Sequence, residues 1–152
     1  MGDDGDLGFA VIEPMWSHVN FYEGETTYES SIEGATRGQR AIYCCTWYTR
    51  EVCNGGHHQF FLNSTGMVWD DALIGFRLLG AVDYEEVLRS AVAWFPYSQP
   101  SKDHETRVTE LDTISSSSFD ALDRRLYHLI ETNDIDVIFT TFILEHPDQF
   151  FR

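Results

Sequence analysis

One short run of the sequence, residues 51–64, gathers side chains that can hold a ligand. It reads Glu51-Val-Cys-Asn54-Gly55-Gly56-His-His-Gln59-Phe60-Phe61-Leu-Asn63-Ser64. A carboxylate and three amides lie close together, so the segment can form a small polar pocket for a ligand or a peptide. The same residues can instead serve the fold: glycines allow a sharp turn, and amides satisfy backbone groups stranded at helix ends. We favour this second interpretation, with the two phenylalanines filling the core beside the turn.

Neither a metal site nor a catalytic site is indicated by this segment. His57 and His58 follow Cys53, but zinc sites usually show Cys-x-x-Cys or His-x-x-x-His spacing and four ligands. The Gly-Gly break between Cys53 and His57 argues against a shared helix face. The chain also lacks a P-loop, a Gly-x-Ser-x-Gly turn and the kinase motif set. We therefore expect a non-enzymatic protein with no metal, no cofactor and no catalytic residues.

The acidic residues are stronger candidates for function. The chain has 25 Asp and Glu against 10 Lys and Arg, for a formal net charge of −15, and Lys102 is its one lysine. Such a surface repels nucleic acids and anionic membranes, and it attracts basic proteins. The candidate partner-binding residues lie in short clusters along the chain: Glu25, Glu29, Glu33, Asp70, Asp71, Asp83, Glu85 and Glu86.

The first of these clusters has helical spacing. Glu25, Glu29 and Glu33 are four residues apart, so they would form one row on a helix face. Like charges at this spacing cost about 0.3 kcal/mol per pair, and no lysine is interspersed to relieve the repulsion. We interpret the row as a surface that serves a partner. The alternative is that the charge serves only solvation, as in the acid-rich proteins of a halophile.

The helix that must position the 51–64 segment is well marked. Thr36 and Gln39 have the spacing of a capping box at a helix N-terminus. The apolar residues that follow recur at helical spacing: Ala41, Cys45, Tyr48 and Val52. Because Asn and Gly tolerate the positive φ of a helix C-terminus, residues 54–56 should end this helix. A short aromatic segment, residues 59–63, would then follow.

The remaining chain also shows helical periodicity. Three further apolar stripes are predicted to face the core: Val68, Ala72, Phe76 and Leu79; Tyr84, Val87, Leu88, Ala91, Val92 and Phe95; and Phe119, Leu122, Leu126 and Leu129. Asp83 and Glu86 resemble a second capping box. Residues 96–118 should form a long connection with one short helix. The run from Ile135 to Leu144 has strand propensity, but its spacing favours a helix.

We predict a single all-α domain over residues 9–152, with a flexible acidic tail at residues 1–8. The three cysteines, Cys44, Cys45 and Cys53, are odd in number and close together, which fits a reducing compartment. The N-terminus lacks the basic and apolar regions of a signal peptide, and no apolar run is long enough to cross a membrane. A cytoplasmic protein is therefore expected.

Three blocks of the sequence resemble the bacterial DNA-mimic-protein-nineteen-like family. The first block is Glu51-x-x-Asn54-Gly55-Gly56-x-x-Gln59-Phe60-Phe61-x-Asn63-Ser64. The second is Leu122-Asp123-x-Arg125-x-Tyr127, and the third is Ile143-x-x-His146-Pro147-x-x-Phe150. Their order and spacing extend the resemblance over roughly residues 36–151. One departure is the pair His57-His58, which stands where a glycine or an aromatic residue is expected.

The resemblance implies an all-helical domain, often a homodimer. It also implies that at least one member displays carboxylates in the pattern of DNA phosphates and occupies the DNA-binding face of a transcription factor. By this resemblance we expect a DNA mimic that binds a basic protein: a transcription factor, another nucleic-acid-binding protein or a nuclease. Direct binding to nucleic acid or to a membrane is not expected.

Two further functions stay open from the sequence. One is an immunity or antitoxin protein that blocks a basic nuclease toxin, which would use the same electrostatic attraction on a different partner. The other is a small-ligand-binding or enzymatic domain that uses the pocket between Glu51 and Asn63.

Overall fold

The computed structural model describes residues 4–151, with side chains from residue 7 onward. Eight α-helices, and no strands, make up its regular structure within these residues, apart from short 3₁₀ turns: α1 Asp4–Ile12, α2 Glu25–Ile32, α3 Arg37–Leu62, α4 Trp69–Leu79, α5 Val82–Val92, α6 His104–Asp112, α7 Asp120–Thr132 and α8 Ile135–Glu145. The prediction of an all-α fold is confirmed. One hydrophobic cluster joins residues from all eight helices.

Helix α3 is the central element of this fold and packs against α1, α4, α6 and α7. It begins with the predicted capping box, in which the Thr36 hydroxyl accepts from the Gln39 backbone N–H and the Gln39 side chain accepts from the Thr36 N–H. The predicted apolar stripe of this helix is fully buried. Local sequence signals therefore place both the start and the core-facing side of α3 correctly.

The Gly55-Gly56 pair breaks α3 without ending it. Gly55 has φ −157° and ψ 21°, and Gly56 has φ 77° and ψ 176°, so both leave the helical region. Helical geometry then resumes and continues to Leu62. The prediction that the helix ends at residues 54–56 is thus corrected: the aromatic segment after the break is a second limb of α3. Burial of Phe60 and Phe61 stabilises that limb.

The structure differs from the sequence-based expectation at two other helix starts. Helix α1 begins at Asp4, inside the stretch predicted to be a loose tail, and its Gly8 packs against Phe139 of α8. Residues 1–3 of that tail lie outside the described residues. Helix α5 has Ala81 as its N-cap, with no side-chain cap, so the predicted Asp83–Glu86 capping box is wrong. Asp83 lies instead in the first turn, where the interaction between a negative charge and the helix dipole is favourable.

The C-terminal half follows the sequence pattern. The connection after α5 contains one short helix, α6, as predicted. The ambiguous last segment is the helix α8, and its buried residues Ile135, Phe139, Phe142 and Ile143 recur at steps of four, three and one. Packing of this stripe against α1 and α4 outweighs the strand propensity of the β-branched residues.

Replacing Gly56 by alanine should destabilise the protein strongly, because a Cβ there combines positive φ with a close contact. The added atom would lie 2.6 Å from Asp123 Oδ2. Strain of about 1–2 kcal/mol and displacement of a charged hydrogen-bond acceptor should together cost about 3 kcal/mol. Urea denaturation would measure this loss. Gly80→Ala is the matched control, since Gly80 has φ +72° but open space around it. Equal losses in the two variants would contradict the role of Asp123.

Candidate functional site

Glu51 joins the two limbs of α3 across the break. Its Oε1 accepts a hydrogen bond from Gln59 Nε2 at 2.8 Å, and its Oε2 accepts from Asn63 Nδ2 at 3.1 Å. The hydroxyl of Thr65 also donates to Oε2. These bonds hold the second limb and the turn after it, Ser64–Val68, against the first limb. The carboxylate and two of the amides that the sequence singled out therefore lie together.

The break is closed from the other side by α7. Asp123 Oδ1 accepts from the backbone N–H of His57 at 2.9 Å and lies 2.6 Å from His57 Nδ1. The imidazole is fully buried, and its Nε2 lies 2.6 Å from the hydroxyl of Tyr48. Both polar atoms of this buried ring are thus satisfied, as burial requires. His57, which departs from the expected family pattern, is a core residue here.

The second sequence block meets the first at this break. Tyr127 donates from its hydroxyl to the backbone carbonyl of Val52 at 3.0 Å. That carbonyl lies in the last turn of the first limb, four residues before Gly56, which has left the helical conformation. Tyr127 therefore supplies a hydrogen bond to a carbonyl in the last turn before the break, and Asp123 supplies one to the turn after it.

The third block covers the start of α3. Gln149 accepts from the Gly38 N–H through its Oε1 at 2.7 Å, and its backbone carbonyl accepts from the Thr36 hydroxyl at 2.7 Å. Phe150 lies over Gly38, where a Cβ would come within 2.6 Å of its ring. The C-terminal segment thus satisfies the Gly38 N–H in the first turn of α3, which has no partner within the helix.

Arg107 is a key residue that the sequence analysis missed. It is fully buried and donates to three backbone carbonyls, those of Phe61, Asn63 and Ser101, at 2.7–3.0 Å. Burial lowers the pKa of Arg107 to about 10, although the nearby Asp103 and Glu110 oppose that shift. A cationic side chain at a helix C-terminus is stabilised by the unpaired carbonyls and the negative end of the helix dipole. An arginine in a helix of low hydrophobicity carries no local signal of this role.

A shallow groove of about 250 Å³ lies beside the Glu51 hydrogen-bond cluster. Its lining residues come from four segments of the chain: Tyr22, Trp47, Glu51, Leu62, Asn63, Ser64, Thr65 and His104. Of the residues predicted to form a pocket, Glu51 and Asn63 line it. Asn54 is exposed elsewhere, and Gln59 faces Glu51 and Gly55. We call this feature the Glu51 groove.

The predicted acidic row lies on the surface. Glu25 and Glu29 are exposed on α2, and Glu33 is exposed at its C-cap. Glu29 forms an ion pair with Arg40 at 3.0 Å. Among the described residues Glu25 and Glu33 have no cationic partner, so their charge is directed to solvent.

Asp71, by contrast, is a core residue. Its carboxylate accepts from the Tyr28 hydroxyl at 2.6 Å and pairs with Arg40 at 2.9 Å. Burial and the neighbouring Cys44 and Asp71 raise the pKa of Tyr28 well above its usual range, so the hydroxyl stays protonated and donates. The structure therefore places this predicted partner-binding residue in an internal network that joins α2, α3 and α4.

The other predicted acids differ in their availability. Asp70 is paired with Lys102, Glu86 with Arg125, and Glu85 with both Arg77 and Arg89. Asp83 is exposed on α5, without an ion-pair partner in the described part of the chain. The structure thus buries one of the eight acids, Asp71, and pairs four others with a cation. It separates a solvent-facing row on α2 from acids that are used to tie helices together.

No group of three or more potential metal ligands comes together among residues 4–151. The cysteines are free thiols, and burial raises the pKa of Cys44 and Cys45, so these two stay protonated. None of the described helices is long and apolar enough to span a membrane.

Replacing Gln59 by alanine should lower stability by about 1.5–3 kcal/mol, because a hydrogen bond to a carboxylate is lost across the break. Asn54 belongs to the same motif but is exposed and makes no side-chain hydrogen bond to a described residue. Asn54→Ala should therefore change stability by less than about 0.5 kcal/mol. Denaturant titrations of the two variants would separate these cases. An equally large loss for Asn54→Ala would show that the motif has a requirement outside this network.

The ion pairs of Glu85 should make stability depend on pH. Burial alone would raise the pKa of Glu85, but hydrogen bonds from Arg89 and Arg77 outweigh it and hold that pKa below its usual 4.5. A lowered carboxyl pKa stabilises the fold above pH 4.5, and this contribution is lost as the pH falls through the folded-state pKa. Glu85→Gln should thus cost up to about 1 kcal/mol at pH 7.

Thermal unfolding of wild type and Glu85→Gln between pH 7 and pH 3 would test this. The difference between the two proteins should shrink as the pH falls below 4.5 and vanish below the lowered folded-state pKa of Glu85, where both lack the charge. Glu131→Gln, at an exposed position of α7, is the control and should show a smaller dependence. A difference that grows on acidification would contradict the assignment.

Comparison with known proteins covers the first two sequence blocks and the start of the third, Ile143 to His146. The model of the family described as DMP19-like protein matches residues 33–146, about three quarters of the chain. Searches of curated proteins and of solved structures found no match. The matched range contains the broken helix α3, the Glu51 hydrogen-bond cluster and Asp123. This chain belongs to the DMP19-like protein family.

Proposed function

We propose that this protein is an acidic protein-binding domain that acts as a DNA mimic. In this role it occupies the nucleic-acid-binding surface of a basic partner protein through its carboxylates. Membership of the DMP19-like family supports the proposal. So does the excess of exposed acidic over exposed basic side chains, which is the observation that carries it.

Exposed acids outnumber exposed Lys and Arg residues by sixteen to six in the described part of the chain. Sixteen carboxylate side chains between residues 7 and 151 are exposed: Glu13, Glu23, Glu25, Glu29, Glu33, Asp83, Glu86, Asp103, Glu105, Asp112, Asp120, Glu131, Asp134, Asp136, Glu145 and Asp148. Five bases are held in ion pairs: Arg40, Arg77, Arg89, Lys102 and Arg125. Arg107 is buried, and Arg50 lies over two aromatic rings. Arg37 and Arg124 are exposed, without an ion-pair partner among the described residues. The outward field is therefore strongly negative.

The row on α2 is the part of this surface with the most regular geometry. One helical turn is about 5.4 Å long, and one DNA strand carries a phosphate about every 3.4 Å of helix axis. A single row of carboxylates thus supplies fewer charges than one strand. The loop before α2 adds Glu23, which is exposed and held by a 2.8 Å hydrogen bond from Asn20. A complete mimic would also draw on acids of other elements.

Attraction of this kind has a characteristic response to salt. Charges on two exposed surfaces are screened over about 8 Å at physiological ionic strength. Steering by the negative field raises the association rate, and added salt lowers it. A partner held through carboxylates should therefore be released by modest salt, and DNA should compete with this protein for the partner.

The test is an affinity capture from the host lysate after nuclease treatment, with elution along a salt gradient. A DNA-binding protein or a nuclease that elutes at modest salt is the expected result, and added DNA should release it. The identity of the captured protein would also decide between a regulator and a nuclease toxin as the target. Absence of any salt-sensitive partner would contradict the proposal.

Charge-neutralised variants sharpen this experiment. Glu25→Gln combined with Glu33→Gln removes two charges of the row and leaves the Glu29–Arg40 ion pair intact. Affinity for the captured partner should fall about fivefold, from about 0.5 kcal/mol for each exposed ion pair. The matched control, Glu105→Gln with Glu145→Gln, removes the same charge from exposed positions on α6 and α8. Equal losses would mean that the charge acts only through the overall field.

A further inference from the structure

We propose that the Glu51 groove holds an arginine side chain of the basic partner, with Glu51 as its counter-charge. This inference rests on the proposed function, because it names the group on the partner that the groove recognises. It also gives the Glu51 block a second role besides closing the break in α3. Three features of the groove carry it: an incompletely used carboxylate, aromatic walls and a position beside the acidic loop.

The carboxylate of Glu51 can accept a further hydrogen bond. An ionised carboxylate offers about four lone-pair sites, and Glu51 receives three hydrogen bonds, all from neutral donors. Two of those donors reach Oε2 and one reaches Oε1. None of the ion pairs in the described part of the chain includes Glu51. A half-buried carboxylate without a cationic partner can therefore bind a cation from another molecule.

The walls of the groove suit a flat cation. Trp47 and Tyr22 both line it, and Tyr22 is 73% exposed, so its ring is accessible from solvent. Aromatic faces attract cations within about 6 Å of the ring centre, and arginine stacks on them through its planar guanidinium. The protein already uses this interaction internally, since Arg50 lies 5.4 Å from the centre of Trp16. Trp47 stacks on the same Trp16 at 5.0 Å, which fixes its orientation.

Other polar groups of the groove accept hydrogen bonds. Asn63 donates to Glu51 through its Nδ2, and its side-chain oxygen accepts no hydrogen bond from a described residue. The Ser64 hydroxyl lines the same groove. A guanidinium carries five N–H donors in a fixed fork, whereas a lysine ammonium carries three around a point. Several acceptors beside one carboxylate therefore favour arginine over lysine.

The groove lies next to the acidic surface. Tyr22 directly precedes Glu23, and Asn20 holds this loop by bonding the Tyr22 N–H and the Glu23 carboxylate, both at 2.8 Å. The Asn20 N–H in turn donates to Ser31 of α2 at 2.9 Å. The loop is thus fixed between the groove and the acidic row of α2. A basic protein drawn to that row would bring its arginines to the mouth of the groove.

The first arm of the test uses small probes and the whole chain. Blocked arginine, Nα-acetyl-arginine amide, would be titrated into labelled protein at low salt while the indole N–H signals are followed by NMR. The Trp47 signal should shift, while that of Trp94, which is 53% exposed outside the groove, should not. The corresponding citrulline compound has nearly the same shape without the charge. It should bind at least about tenfold more weakly, the factor that 1.4 kcal/mol represents.

The second arm of the test places a lysine side chain in the groove. Leu62 is 40% exposed at the groove, so Leu62→Lys places an ammonium beside Glu51 and should abolish the arginine-induced shift. Leu144→Lys adds the same charge at a 68% exposed leucine of α8 and should leave the shift unchanged. Both positions are exposed, so both variants should fold. This design avoids replacing Glu51 itself, whose loss would disturb the break in α3.

The outcomes separate this inference from the proposed function. Equal binding of arginine and citrulline probes, or an unchanged shift in Leu62→Lys, would overturn the groove as an arginine site even if a salt-sensitive partner is captured. Loss of partner affinity in Leu62→Lys but not in Leu144→Lys, together with the probe result, would support it. If the probes bind but Leu62→Lys holds the captured partner as tightly as wild type, the partner's arginine does not enter the groove, and the inference fails.

Discussion

The broken helix α3 is the constraint on which the rest of this structure depends. Two glycines let the chain leave the helix at residues 55 and 56, and the break exposes backbone groups that need partners. Asp123 of α7 accepts from the backbone N–H of His57, 66 residues away, and Glu51 accepts from side chains of the second limb. All three sequence blocks of the family resemblance contribute to holding this helix. A motif that looks like a binding site in the sequence is therefore first a device for joining two helical limbs.

The same hydrogen-bond network is relevant to function because it holds the Glu51 carboxylate beside a surface groove. Glu51 is held rigidly by amide and hydroxyl donors, so its charge is fixed in position without being neutralised. A preorganised charge loses less free energy on binding than one that must be ordered first. Structural and recognition roles are compatible here, since the hydrogen bonds that close the break use only part of the carboxylate.

Two arginines join helices inside the protein, while exposed acids outnumber exposed bases on its surface. Arg40 joins α2, α3 and α4 through Glu29 and Asp71, and Arg107 binds carbonyls at the end of α3. Sixteen exposed acids against six exposed Lys and Arg residues in the described part of the chain give the net charge of −15 a negative surface.

The sequence by itself determined the helical class, the capping box at Thr36 and the apolar faces of the helices, because these depend on contacts between near neighbours. It also located the break in α3, although not the second limb that continues to Leu62. Only the tertiary structure decided which acids are available. Asp71 lies in the core because Tyr28 and Arg40, 43 and 31 residues away, bond it there. Burial and pairing of a charge are set by such distant residues, and no local pattern carries that information.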